Sequence, residues 1–290
     1  MNQVRGERYA VRGMTRRTFV ETIAGAGLAA VLPRVPLTAH RARIEKIGLQ
    51  LYTVRKAMQA DVEGTLARVA ATGYKEVEFA GYFGKTPTEI RALLERFGLS
   101  SPAVHVGSLA ADAWRASLEA ANTIGHRYVV VPWIPAEQRG TLDGWKRVAE
   151  NFNRVAAEAR AAGLQLAYHN HDFEFAPVEG RIPYDVLLES TDPHLVQLEI
   201  DLYWMTKGGQ DPLTYFQRWP GRIPLVHVKD SAGPPDNKMV DVGAGTIDWK
   251  RIFARRDQAG IRHFFVEHDQ PADLFASIKA SYDYLSKLEF

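Results

Sequence analysis

The sequence predicts a single β/α barrel of eight parallel strands, and three observations carry that expectation. From Ile44 onward, short apolar runs alternate with longer stretches of helical periodicity, the pattern of a parallel sheet wrapped by helices. The runs number eight, the count at which such a sheet closes on itself. No glycine-rich linker or charge block interrupts residues 44–290, so they read as one domain.

The strand candidates are residues 46–52, 76–79, 101–106, 128–131, 164–169, 196–201, 225–229 and 263–267. Helical periodicity fills 62–71, 88–97, 110–124, 142–162, 184–190, 249–259 and 273–288, so that helices fall between the strands. Gly73, Gly98, Gly125, Gly163 and Gly260 each follow a helix, where a residue with positive φ turns the chain into the next strand. A doubly wound open sheet would show the same alternation. Its dinucleotide site needs G-x-G-x-x-G after the first strand, and none is there.

Residues 1–43 read as a leader. Thr15-Arg16-Arg17-Thr18-Phe19-Val20 precedes a small-residue apolar run from Ile23 to Leu32, and together they resemble a twin-arginine export signal. The run is short for a bilayer span, so export to the periplasm is expected rather than permanent membrane insertion. Lys+Arg of 36 against Asp+Glu of 34 leaves a net charge of +2, too little for a general polyanion-binding surface, so nucleic acid is not an expected partner. A homo-oligomer is compatible with this composition. With no cysteine, neither a disulfide nor a thiolate metal site can form, and any metal must be held by His, Asp, Glu and water.

Chemistry in such a barrel belongs at the C-terminal ends of the strands. There the sequence places Glu78, His105, His169-Asn170-His171, Asp201, His227 with Lys229-Asp230, and Glu267-His268-Asp269. Five of the nine histidines and at least three carboxylates therefore converge on one rim. Carboxylates gathered closely cannot all stay ionised without compensating positive charge, which predicts a divalent cation among them. Mixed nitrogen and oxygen ligands suit Mn, Co, Zn, Fe or Mg. Taken singly, each residue has a plainer reading, as a satisfied core histidine or a helix-capping aspartate; the set carries the inference. Trp133, Trp204 and Phe83 fall near strand ends and are candidates to stack on a ring of a bound small molecule. The Gly243-Ala244-Gly245 turn reads as structural, with Asp248 capping the next helix, and is too short to cradle a phosphate.

At these residues the chain resembles the xylose isomerase-like TIM-barrel superfamily of sugar isomerases and epimerases, which includes inosose dehydratases and endonuclease-IV-type enzymes. The resemblance spans residues 44–290 and rests on Ile47-Gly48-Leu49-Gln50-Leu51-Tyr52-Thr53-Val54-Arg55, Val77-Glu78-Phe79, Tyr168-His169-Asn170-His171-Asp172-Phe173-Glu174-Phe175, Glu199-Ile200-Asp201, Val226-His227-Val228-Lys229-Asp230 and the run from Val242 to Asp248. It implies a sugar or keto-sugar substrate and proton transfer next to a carbonyl, giving isomerisation or epimerisation. The His-x-His pattern resembles the dehydratase branch, so elimination is the alternative reaction. The family's metal is commonly held by an acidic residue after strand five, an Asp after six, a His after seven and a Glu after eight. The last three fall on Asp201, His227 and Glu267. If Glu174 matches the family's acidic residue just beyond strand five, the first falls on Tyr168, a poor ligand, and His169 or His171 takes its place. Strand alternation puts both on one face and does not separate them. Glu267 is then the implied base, with His169 or His171 opposite it, and Glu78, His105, Glu174, Trp204, Lys229 and Asp230 are the candidate substrate-binding residues. A non-catalytic sugar-binding barrel would keep the aromatic pocket but has no need of ionisable residues at so many strand ends. A DNA-repair enzyme on this fold would bring a larger ligand set and a basic groove.

Overall fold

A computed structural model describes residues 42–290; the twin-arginine motif and nearly all of the expected leader lie outside them. Eight parallel strands close into a barrel: β1 (Ile47–Gln50), β2 (Glu76–Phe79), β3 (Ser100–His105), β4 (Tyr128–Val131), β5 (Gln165–His169), β6 (Val196–Asp201), β7 (Leu225–Val228) and β10 (His263–Val266). Each pairs with its neighbours in chain order, and β10 returns to β1 with Ile47 opposite Phe264. The strands read as nearly unbroken apolar runs because both faces are covered, one by the barrel interior and the other by helices.

Side chains fill the barrel in layers. Ala103, Tyr128, Val130, Ala167, Leu225 and Phe265 form an apolar plug inside it. Gly48 leaves room for that plug: a Cβ there would stand 2.5 Å from the Phe265 ring. At the N-terminal end, His263 Nδ1 meets Glu76 Oε2 at 2.8 Å. The outward residues of the same strands, among them Val77, Phe79, Val129, Leu166, Ile200 and Val226, pack under the helices in the larger core.

All five glycines read as helix stops have positive φ, between 63° and 119°. Gly73 is doubly required, since a Cβ there would also run into Tyr282 at 2.3 Å.

Three features depart from the periodicity. The stretch at 249–259 divides into helices Trp249–Phe253 and Arg256–Ala259. Strand β6 is followed by two short helices, Leu202–Lys207 and Pro212–Arg218, the second opened by a proline at its start. After β7 the chain forms a small antiparallel hairpin, β8 (Asp230–Ser231) with β9 (Met239–Val240). Ala42 and Phe290 exchange backbone hydrogen bonds, and Arg43 pairs with Glu289, so the first and last described residues meet. Among the described residues no helix is long and apolar enough to cross a membrane.

Candidate active site

The C-terminal ends of the strands surround a cavity of about 520 Å³ lined by residues that include Tyr52, His105, Trp133, His169, His171, Trp204, Lys229, Glu267 and Asp269. Directly beneath lies a dense group of ionisable side chains. His227 on β7 sits at its centre, with Nδ1 2.8 Å from Glu267 Oε2 and Nε2 2.7 Å from Glu78 Oε2. Asp201 closes β6 and caps the following helix by accepting from Trp204 N; its Oδ2 lies 3.9 Å from both His227 Nδ1 and His169 Nε2. Ligand atoms of Asp201, His227 and Glu267 all fall within 4.8 Å of one another.

Lys229 is held between three carboxylates: its Nζ is 3.0 Å from Asp201, 2.7 Å from Glu267 and 3.0 Å from Asp269. Burial opposes its charge, but those carboxylates outweigh burial and hold it well above the usual lysine range. Burial likewise opposes ionisation of Glu267, and Lys229 with His227 overcomes it, leaving the carboxyl well below its ordinary value. For Asp201 burial prevails, raising it to about 6. His171 is different. Burial, with Lys229 nearby, lowers it to about 3, so it stays unprotonated at neutral pH. It sits among aromatic rings, edge-on to Trp133 at 4.9 Å and stacked on Phe173 at 5.7 Å, and its ring makes no ion pair with a carboxylate among the described residues.

This arrangement falls inside a stretch, residues 66–288, that matches the family model described as a xylose isomerase-like TIM barrel. The chain belongs to that xylose isomerase-like TIM-barrel family. It is 29% identical over 188 residues to an inosose dehydratase from Geobacillus kaustophilus, covering 57% of this chain and 60% of that protein. A second inosose dehydratase, from Lacticaseibacillus casei, is 25% identical over 235 residues, covering 68% of this chain and 78% of the relative. Among solved structures, a sugar phosphate isomerase/epimerase from Parabacteroides distasonis superposes with a TM-score of 0.75 at 29% identity, covering 84% of this chain and 98% of its own.

The two strand-five histidines both line the cavity but sit differently. His169 ends β5 beside Asp201, whereas His171 lies beyond the strand in the aromatic wall. Tyr168 does not occupy an inward position. It faces the helices, against Phe152 and Tyr184, and donates to Glu174 Oε1 at 2.5 Å.

That contact also corrects the expectation for Glu174. Fully buried behind the strand, it accepts from Tyr168 and from His171 N and does not line the cavity; burial raises its carboxyl to about 7. Asp230 is likewise corrected: it accepts from the backbone N–H groups of Ser231, Gly243, Gly245 and Ile247 and from Trp249 Nε1, tying down the loop after β7. Glu78 lies beneath the cavity floor, bonded to Gln50 and His227, and is not among the residues lining it. Phe83 also stays outside and packs on the core. His105, Trp204 and Lys229 do line the cavity.

One residue escaped the sequence reading as a site candidate. Glu199, two positions before Asp201 on β6, is fully buried and accepts from His105 Nε2 at 2.8 Å. Strand alternation was the available signal, since residues two apart share a face.

The donor set fits a divalent cation. Asp201, His227 and Glu267 bring ligand atoms within 4.8 Å of one another, and Asp201 Oδ2 is buried without a hydrogen-bond partner, although Lys229 makes an ion pair with it. Such atoms are costly unless something binds them. Imidazole and carboxylate donors without sulfur suit a hard or borderline ion.

Proposed function

We propose that the protein is a divalent-metal-dependent enzyme that removes a proton from the carbon next to a carbonyl of a sugar or keto-sugar. The observation that carries this reading is the convergence of Asp201, His227 and Glu267, with His169 beside them, directly under a cavity lined by His171 and Lys229. These four residues would hold the ion. When bound, it supplies Lewis acidity that stabilises negative charge developing on the substrate oxygen.

The chain's other residues bind, orient and move the proton. His171, whose ring makes no ion pair among the described residues, is placed to take it from carbon. Lys229, held in place by Asp201, Glu267 and Asp269, fixes a positive charge at the same wall, which favours negative charge developing on a nearby substrate oxygen. Trp133 is 48% exposed and Trp204 lines the same wall, giving flat apolar faces for the C–H side of a sugar ring. Returning the proton gives isomerisation or epimerisation. The inosose dehydratase relatives support a second outcome, in which a hydroxyl on the adjoining carbon leaves as water.

Metal analysis of purified protein, followed by incubation with keto-sugars and inososes in deuterium oxide, tests the reading. We expect one tightly held divalent ion and deuterium at the carbon next to the carbonyl; an unchanged skeleton marks the isomerase, loss of water the lyase. Protein that binds no ion and exchanges no deuterium rejects both. We further propose export through the leader, on the strength of Arg16-Arg17 and the apolar run after it. Arg16→Lys with Arg17→Lys should then trap the protein in the cytoplasm on cell fractionation, and an unchanged distribution would refute it.

A further inference from the structure

The ionisable group beneath the cavity has two tiers. Asp201 and Glu267 belong to the upper one. Glu199 and Glu78 belong to the lower; Glu199 lies two residues earlier than Asp201 on the same strand, roughly 6.6 Å deeper along it. Both lower carboxylates are fully buried and neither lines the cavity.

Two imidazoles span the tiers. His227 directs Nδ1 to Glu267 at 2.8 Å and to Asp201 at 3.9 Å, while its Nε2 lies 2.7 Å from Glu78 and 3.3 Å from Glu199. His169 directs Nε2 to Asp201 at 3.9 Å and Nδ1 to Glu199 at 3.5 Å. Each ring therefore has one nitrogen facing up and one facing down.

A neutral imidazole carries one proton on its two nitrogens. If the upward nitrogens give their lone pairs to a cation, the protons must sit on the downward ones, and the carboxylates facing those are Glu199 and Glu78. We propose that Glu199, assisted by Glu78, is a positioning carboxylate that accepts the downward N–H groups of His169 and His227 and so fixes which nitrogen of each ring faces the ion. The inference rests on the metal reading above and assigns a role to residues that reading leaves idle.

The lower tier is itself anchored. Gln50 Nε2 donates to Glu78 at 2.7 Å, and His105 Nε2 donates to Glu199 at 2.8 Å. Donors of His105, His169, Glu199 and His227 also lie within 4.8 Å of one another, as a second cation would require. Filling both tiers, however, would strip both nitrogens of His227 of protons, and a neutral ring cannot supply that. One ion with a carboxylate layer behind its histidines uses every nitrogen once. Outer partners of this kind typically govern metal affinity by about 10- to 100-fold.

Glu199→Gln and Glu78→Gln, each nearly isosteric, provide the test, with zinc and manganese affinities measured by chelator competition and stoichiometry by elemental analysis. Wild-type protein should bind one ion. Glu199→Gln should bind it about 10- to 100-fold more weakly, while the melting temperature of the metal-free variant changes little, because an amide oxygen still accepts from His105. A merely structural glutamate would lower the metal-free melting temperature and leave affinity alone. Unchanged affinity in both variants overturns the proposal while leaving the metal reading intact. Two ions in the wild type and one in Glu199→Gln overturn it differently, by making Glu199 a ligand. Wild-type protein without any ion overturns the metal reading and this inference together.

Discussion

The two ends of one barrel interior are built on opposite principles. Toward the N-terminal end, Ala103, Tyr128, Val130, Ala167, Leu225 and Phe265 interlock as an ordinary apolar core. A few residues further along the same strands, Glu78, Glu199, Asp201, His227 and Glu267 crowd into space where buried charge costs free energy, and several of their polar atoms have no protein partner. Strand β7 makes the contrast within three residues, with Leu225 in the plug and His227 among the carboxylates. The plug stabilises; the mouth spends part of that stability on groups poised for a ligand.

Substitutions at the two ends should therefore separate activity from stability. The largest effect belongs at the mouth: His171→Asn should slow solvent-deuterium exchange into substrate by about 10²- to 10⁴-fold, with little change in melting temperature. Comparable exchange in the variant would remove His171 from the proton transfer and turn attention to Glu267. In the plug the pattern reverses. Leu225→Ala should cost about 2–5 kcal/mol in denaturant unfolding, with turnover per folded molecule within a few-fold of wild type. A larger loss of turnover would mean that the plug sets the position of His227.

A histidine outside the barrel sharpens the contrast further. His126 is buried against Phe79 and Tyr82, its Nδ1 on the Ser101 carbonyl, and burial lowers it from 6.5 to about 4. Its folded value lies below its unfolded one, so the unfolded chain binds the extra proton and stability drains away as pH falls from 6.5 toward 4. The difference amounts to about 3 kcal/mol. His126→Phe should flatten that part of the stability–pH curve measured by urea denaturation; an unaltered slope would place the acid sensitivity elsewhere.

The repeating parts of the molecule were legible because they follow from periodicity and from glycine's access to positive φ. The rim was legible for the same reason, since strand ends follow once strands are placed. Parity at one position was harder. Reading Tyr168 as a ligand position required it to face the axis, whereas it turns toward the helices and His169 takes the inward place. Glu174 and Asp230 carry the residue types of a site, yet serve a tyrosine hydroxyl and a set of loop N–H groups, partners that only folding brings near. Glu199 was hidden by its apolar neighbours Leu198 and Ile200, which face the helices.

The meeting of Ala42 with Phe290 gives the barrel a seam rather than a beginning. Eight strands in a ring have no privileged first member, and here the first and last described residues already touch between the final helix and β1. A short peptide bridging them, with the chain reopened at an exposed loop on the opposite side of the ring, would yield a circularly permuted protein holding the same carboxylates and imidazoles in the same places.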